Sequence, residues 1–381
     1  MTTLIHSVRL VDDGRVTDAA WVAIAHGTVV ATGVGGTWAD LTAGPDTEVV
    51  DGAGGLLTPG FVDLHGHGGG GAAFDDGAAA IAVARDLHRR HGTTRAVISL
   101  VTASIDDLAE RVAVVADLAE TDATILGSHL EGPFLDPAHK GAHTEELLRP
   151  ADPASVERLL AAGRGTIRQV TLAPERPGAD DAIGRFVASG VAVAVGHTGA
   201  DAEQAAHAFE AGATILTHAF NAMPGIHHRA PGPVVAAMRD PRVTLELIAD
   251  GVHVHPDVVR LAFAGAPGRI ALVTDAMAAT GAADGHYELG GLSVTVAGGV
   301  ARLDATGSIA GSTLTQDAAL RLVVGIGVPL PEAVAALTAV PARALGLDGR
   351  IGTLRVGAAG DAVLLDDDLR VVGVWAAGIR V

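Results

Sequence analysis

The chain has 381 residues, more than one minimal core needs, so one large domain with a smaller companion is expected. About half of it is apolar and only 3% is aromatic. The core must therefore be built from Ala, Val, Leu and Ile, which suits buried parallel strands flanked by Ala-rich helices. A formal charge of −18 argues against a nucleic-acid partner, and the absence of cysteine excludes disulfides and thiolate metal ligands.

The N-terminus, Met1-Thr2-Thr3-Leu4-Ile5-His6, has no basic region followed by an apolar core, so no signal peptide is expected. No apolar run reaches the roughly 18 residues needed to cross a membrane, and the expectation is a cytoplasmic protein. Residues 1 to about 55 read as short strands, with turns at Asp12-Asp13-Gly14, His26-Gly27 and 33–36. The stretch 56–64 reads as a buried strand that runs into His65-Gly66-His67. Helices at 78–90, 105–120, 153–162, 180–188, 202–210, 233–238 and 256–263 then alternate with strands. Those strands fall at 94–101, 124–130, 167–172, 191–195, 214–217, 243–248 and 270–273. A β hairpin is expected over 287–303, bordering the site. The segment after 345 returns to short strands and turns.

This order predicts an α/β fold: a TIM-like (β/α)8 barrel over 56–344, with a small β-sandwich domain made from both chain ends, 1–55 and 345–381. A doubly wound open sheet is the alternative. In a barrel the chemistry belongs at the C-terminal ends of the strands. The first strand ends in His65 and His67, which share one side of an extended chain. Strand 124–130 ends in Glu131, 191–195 in Gly196-His197, 214–217 in His218, 243–248 in Asp250 and His253, and 270–273 in Thr274-Asp275.

Imidazole and carboxylate ligands suit zinc or another borderline divalent cation. Glu131, His197 and His218 form a three-ligand set that leaves a position open for water. His65 and His67 are candidates for a second cation, with Glu131 bridging. Such a cation lowers the pKa of its water toward about 7. Asp275 is placed as general acid/base. Any one of these residues alone is as well explained by capping or hydrogen bonding; their joint occurrence at strand ends is not. The run Gly66-His67-Gly68-Gly69-Gly70-Gly71 also fits a dinucleotide fingerprint, G-x-G-x-x-G, but the next strand does not end in the acid that would hold a ribose.

Pro59-Gly60-Phe61-Val62-Asp63-Leu64-His65-Gly66-His67 resembles the first-strand signature of the amidohydrolase superfamily. Within it, the chain resembles the family of N-acetylglucosamine-6-phosphate deacetylases. That resemblance rests on His129-Leu130-Glu131-Gly132-Pro133-Phe134, Lys140-Gly141-Ala142-His143, Gly196-His197-Thr198 and Thr217-His218-Ala219-Phe220-Asn221-Ala222-Met223-Pro224. It continues through Ala249-Asp250-Gly251-Val252-His253, Val273-Thr274-Asp275-Ala276 and Gly311-Ser312-Thr313-Leu314. These segments run in family order over nearly the whole chain.

The resemblance implies hydrolysis of the acetamide of an amino-sugar phosphate, a small-molecule substrate. Glu131, His197 and His218 would hold the catalytic cation and Asp275 would be the acid/base. His143 would polarise the acetamide carbonyl. Asn221, Ala222, Arg229 and His253 would contact the sugar or its phosphate. The cation would be Zn2+, with Fe2+ as the other choice, one or two per subunit. The family also implies a homodimer in which Arg229 can come from the partner subunit. Some amidohydrolases bridge two metals with a carbamylated lysine. Lys140 is the only lysine here and falls in a polar loop, so the bridging group is expected to be a carboxylate. Another deacetylase or deaminase of the superfamily, and a metal-binding scaffold without catalysis, are the competing readings.

Overall fold

The structure is a computed structural model that describes residues 2–43 and 47–381. The chain divides into two compact units. One contains Met1–Asp63, His88–Arg95 and Gln316–Val381; the other contains Leu64–Leu87 and Ala96–Thr315.

In the first unit, strands from both chain ends join one sheet. Its order is Ile379–Arg380, Val371–Ala376, Ala362–Leu365, Leu56–Pro59, Thr2–Asp12, Arg15–Ala25 and Thr28–Val34, with Thr47–Asp51 also pairing with Thr2–Asp12. Its core is aliphatic around one large aromatic: Ile5, Val8, Val22, Ile24, Leu57 and Leu364 surround Trp375.

The barrel strands are β1 (Phe61–Asp63), β2 (Thr93–Val101), β3 (Ile125–Glu131), β4 (Ile167–Leu172), β5 (Ala192–Val195), β6 (Ile215–Leu216), β7 (Thr244–Ile248) and β8 (Ile270–Val273). They form a sheet in simple sequence order. Every pair from β2 to β8 is parallel. Beyond the ends of β1 and β8, Asp275 N–H donates to the His65 carbonyl at 2.8 Å, tying the first and last strand ends together. Nearly every residue of these strands is buried, as expected of parallel strands covered on both faces.

The helices between them start where the sequence supplies caps. Ser104 caps Ile105–Thr121, and Asp152 caps Pro153–Gly163, which has Pro at its first position. Asp201 and Gln204 form a reciprocal capping box on Ala202–Glu210.

One element differs from the sequence expectation. The stretch 56–64 is not a single strand. Leu56–Pro59 pairs within the small sheet, and only Phe61–Asp63 enters the barrel. The break falls at Gly60, where a Cβ would lie 2.1 Å from Thr94 Oγ1 and 2.8 Å from Asp361 Cβ. The close approach of those two neighbours requires glycine at the crossing. The run Gly68 to Ala73 is also settled: Gly68–Gly69 and Ala72–Ala73 form a two-stranded ribbon, not a strand-to-helix phosphate loop. The expected hairpin is a three-stranded antiparallel sheet of Gly285–Leu289, Leu292–Ala297 and Val300–Leu303.

Candidate active site

A cavity of about 400 Å3 opens at the C-terminal ends of the barrel strands, within the range usual for small-molecule sites. Its polar lining includes His67, Glu131, His143, His197, His218, Asn221, His253 and Asp275. Val101, Met223, Leu289 and Ile309 supply apolar wall.

Glu131, the last residue of β3, sits at the centre. Its Oε1 lies 3.1 Å from His197 Nε2 and 3.2 Å from His218 Nε2, and those two nitrogens are 3.0 Å apart. The same Oε1 is 3.2 Å from His65 Nε2, while Oε2 is 3.0 Å from His67 Nε2 and 3.4 Å from His143 Nε2. His65 Nε2 and His67 Nε2 are 3.1 Å apart, and each faces Asp275 Oδ1, at 3.5 and 3.3 Å. Two sets able to hold a cation result: Glu131, His197 and His218; and His65, His67 and Asp275. Glu131 faces both.

The donor chemistry fits a divalent cation. Two imidazole nitrogens that face each other at 3.0 Å cannot both carry a proton. A tetrahedral ion with bonds of about 2.1 Å separates its ligands by about 3.4 Å, close to the spacings here. His197 Nδ1 lies 3.0 Å from the His139 carbonyl, so it donates there and leaves Nε2 unprotonated toward Glu131.

Several of these side chains stand on strained backbone. His197, His218 and Asp275 have φ of 47°, 24° and 48°, in the left-handed region that non-glycine residues avoid. Such strain persists where the surroundings over-determine it and is concentrated at functional sites. Gly196 before His197 is equally constrained: a Cβ would sit 2.6 Å from Thr217 Cβ and 2.8 Å from Thr171 Cγ2.

The cluster attracts positive charge. Burial opposes protonation of His67, but hydrogen bonds to Asp275 and Glu131, with their charges, outweigh it and raise His67 to about 9. His65 is raised well above its ordinary value, burial being overcome by the charges of Glu131 and Asp275. Burial would raise Asp275, but the positive charge of His65 and the hydrogen bond from His67 hold it below the usual carboxylate range. Glu131 is held low against burial by the charge of His65 and by its close contacts with His143, His197 and His218. His143 goes the other way, because burial dominates and lowers it to about 4. Its Nδ1 is 2.8 Å from Thr102 Oγ1. His253 Nδ1 lies 2.7 Å from Asp250 Oδ2; burial opposes its protonation, but that bond and the charge of Asp250 raise it.

The residues expected from the sequence divide into two groups. His65, His67, Glu131, His143, His197, His218 and Asp275 converge within this one cluster, and Asn221, Ala222 and His253 line the cavity beside it. Arg229 does not line the cavity. It lies on an exposed turn closed by a backbone bridge between His227 and Ala230. Sequence reasoning missed Glu246 in the middle of β7, whose Oε2 is 3.1 Å from His65 Nδ1. The signal was present: an acid in the otherwise apolar run Leu245-Glu246-Leu247-Ile248. It also missed His139, whose carbonyl orients His197.

A parallel barrel whose strand ends bring imidazoles and carboxylates to one cavity defines a class, the barrel hydrolases built to hold divalent metal. The chain belongs to the amidohydrolase family, which it matches over residues 56–381. It is 42% identical over 328 residues to the N-acetylgalactosamine-6-phosphate deacetylase of Escherichia coli O157:H7, covering 85% of this chain and 87% of that protein. It is 36% identical over 330 residues to the N-acetylglucosamine-6-phosphate deacetylase of Vibrio furnissii, with 84% and 82% covered. Among solved structures it is similar to a variant of the N-acetyl-D-glucosamine-6-phosphate deacetylase from Mycobacterium smegmatis in complex with N-acetyl-D-glucosamine-6-phosphate. That match has a TM-score of 0.92 and 44% identity and covers 100% of this chain and 98% of that one.

Proposed function

We propose that the protein hydrolyses the acetamide of an N-acetyl amino-sugar 6-phosphate, N-acetyl-D-glucosamine 6-phosphate first, to acetate and the free amino sugar phosphate. The observation that carries this reading is the Asp275 carboxylate at 3.3 to 3.5 Å from two ligand-type imidazoles, beside a glutamate that belongs to one candidate cation set and lies 3.0 to 3.2 Å from the imidazoles of the other. The deacetylase relatives over more than four fifths of the chain support it.

In this reading Glu131, His197 and His218 hold the catalytic cation, Zn2+ before Fe2+, and His65 and His67 with Asp275 and Glu131 hold a second. When bound, the cation polarises the acetamide carbonyl and acidifies the attacking water. Asp275 Oδ1 takes the proton from that water and returns it to the nitrogen as the C–N bond breaks. His143 donates from Nε2 to the developing oxyanion. That role needs the tautomer in which the Thr102 hydroxyl donates to Nδ1, at 2.8 Å, in place of the Glu131 carbonyl at 3.1 Å. Asn221, the Ala222 backbone and His253 hold the sugar and phosphate. Arg229 completes the phosphate site from the partner subunit of a cytoplasmic homodimer, which accords with its position outside the cavity of its own chain. The catalytic domain is taken as 56–344, and 1–55 with 345–381 as the small β domain.

The test is acetate release by the metal-loaded protein from the 6-phosphates of N-acetylglucosamine and N-acetylgalactosamine and from the two unphosphorylated sugars. The reading expects turnover of a 6-phosphate and little of either free sugar. Equal turnover with and without phosphate would remove the phosphate site from the account. No release from any of the four would move the chemistry to another amide.

A further inference from the structure

Glu246 is a buried acid at this site that the proposed reaction does not use. It stands in the middle of β7 and has no solvent exposure. Its Oε2 lies 3.1 Å from His65 Nδ1 and 3.3 Å from the His218 backbone nitrogen, and its Oε1 lies 2.7 Å from Gln169 Nε2. Among the described residues, no Lys or Arg faces it.

A carboxylate buried without a cation is costly to keep. Glu246 accepts from the His218 N–H at Oε2 and from Gln169 Nε2 at Oε1, so it meets His65 Nδ1 with an acceptor oxygen. The His65 hydrogen therefore belongs on Nδ1, aimed at Glu246. This commits the His65 Nε2 lone pair to the point it shares with His67 Nε2 and Glu131 Oε1, at 3.1 and 3.2 Å. The other ring nitrogens differ. His197 Nδ1 donates to a neutral carbonyl, and among the described residues His67 Nδ1 and His218 Nδ1 have no hydrogen-bond partner. Among these four imidazoles, a carboxylate buttresses His65 alone from behind.

We propose that Glu246 is a positioning residue for the second cation. It fixes the tautomer of His65, raises the basicity of Nε2, and so sets the affinity of the position formed by His65, His67 and Asp275. Gln169 in turn orients Glu246. This rests on the reading of His65 as a ligand.

The experiment is calorimetric titration of the chelator-stripped full chain with Zn2+, with metal counted by mass spectrometry. It compares wild type, Glu246→Gln, His65→Ala and the double variant. Wild type is expected to take two equivalents. Glu246→Gln is expected to keep the first and to weaken the second by about 10- to 100-fold. His65→Ala should also weaken the second, and adding Glu246→Gln to it should change little, because the effect runs through His65. If His65→Ala weakens the second equivalent and Glu246→Gln does not, this proposal falls and the ligand reading stands. The proposal also falls if the Glu246→Gln loss is undiminished on the His65→Ala background. If His65→Ala leaves both equivalents unchanged, or wild type binds only one, the ligand reading of His65 fails and takes the proposal with it. Nitrogen-15 shifts of His65 in the Zn2+-loaded wild type give a check that needs no variant to fold: a hydrogen on Nδ1 is expected, and an Nδ1 without one overturns the proposal.

Discussion

At the scale of single residues, the account turns on where protons sit. Asp275 is held ionised and lies within 3.5 Å of both His65 and His67, so it can accept a proton at neutral pH. Asp275→Asn should lower kcat by about 10²- to 10⁴-fold, the usual worth of a positioned acid/base, and leave KM for the 6-phosphate nearly unchanged. A variant with full kcat would end that assignment. His67 makes a second prediction. Its folded value of about 9 lies above the unfolded 6.5. After chelation it should therefore contribute stability that is fully present below about pH 6.5 and is lost as pH rises through about 9. A cation must displace the protons of both His67 and His65, which is also raised, so affinity at the His65, His67 and Asp275 position should fall about tenfold or more per pH unit below 9, with proton release visible in buffers of different ionisation heat. His253, raised by Asp250, gives a third: KM for a phosphorylated substrate should climb as pH rises through the raised His253 value, and His253→Asn should flatten that rise.

At the scale of elements, function depends on how strands end. Gly196→Ala would drive a methyl into Thr217 Cβ, a backbone-anchored atom that cannot swing away. It should cost about 1–3 kcal/mol of stability and displace His197, with loss of bound metal measured alongside Tm. The same feature explains what could be read from the chain alone. A parallel strand is a short apolar run, and the polar residue just past it must face the cavity, so Glu131, His197, His218 and Asp275 were legible without coordinates. Glu246 was not, because it lies inside the run of β7, where only barrel geometry separates a side chain that points to the ligands from one that points to a helix. The split of 56–64 at Gly60 was hidden for a related reason: two strands of one direction joined by a glycine look like one strand until their hydrogen-bond partners are known. The left-handed conformations of His197, His218 and Asp275 leave no mark in residue identity at all.

At the scale of the molecule, the alternation of strands and helices carried the fold, and both chain ends meet in one sheet because Leu56–Pro59 lies between Thr2–Asp12 and Ala362–Leu365. Composition could not reach the placement of Arg229 on an exposed turn outside the cavity of its own chain. In the proposed homodimer, Arg229→Ala should raise KM for the 6-phosphate about tenfold or more and spare kcat. Mixing it with Asp275→Asn should regenerate active hybrid sites, each with an intact Asp275 from one copy and Arg229 from the other. Failure of the mixture to recover activity, with dimers exchanging freely, would place Arg229 in its own chain's site or in none.

The central claim is that the strand-end cluster performs amide hydrolysis through a bound divalent cation. It is tested most directly by stripping the protein with a chelator, returning Zn2+ in measured equivalents, and following acetate release from N-acetyl-D-glucosamine 6-phosphate. The account predicts no release without metal and a rate that rises with the equivalents returned. Sustained acetate release from protein shown to hold no metal would contradict it.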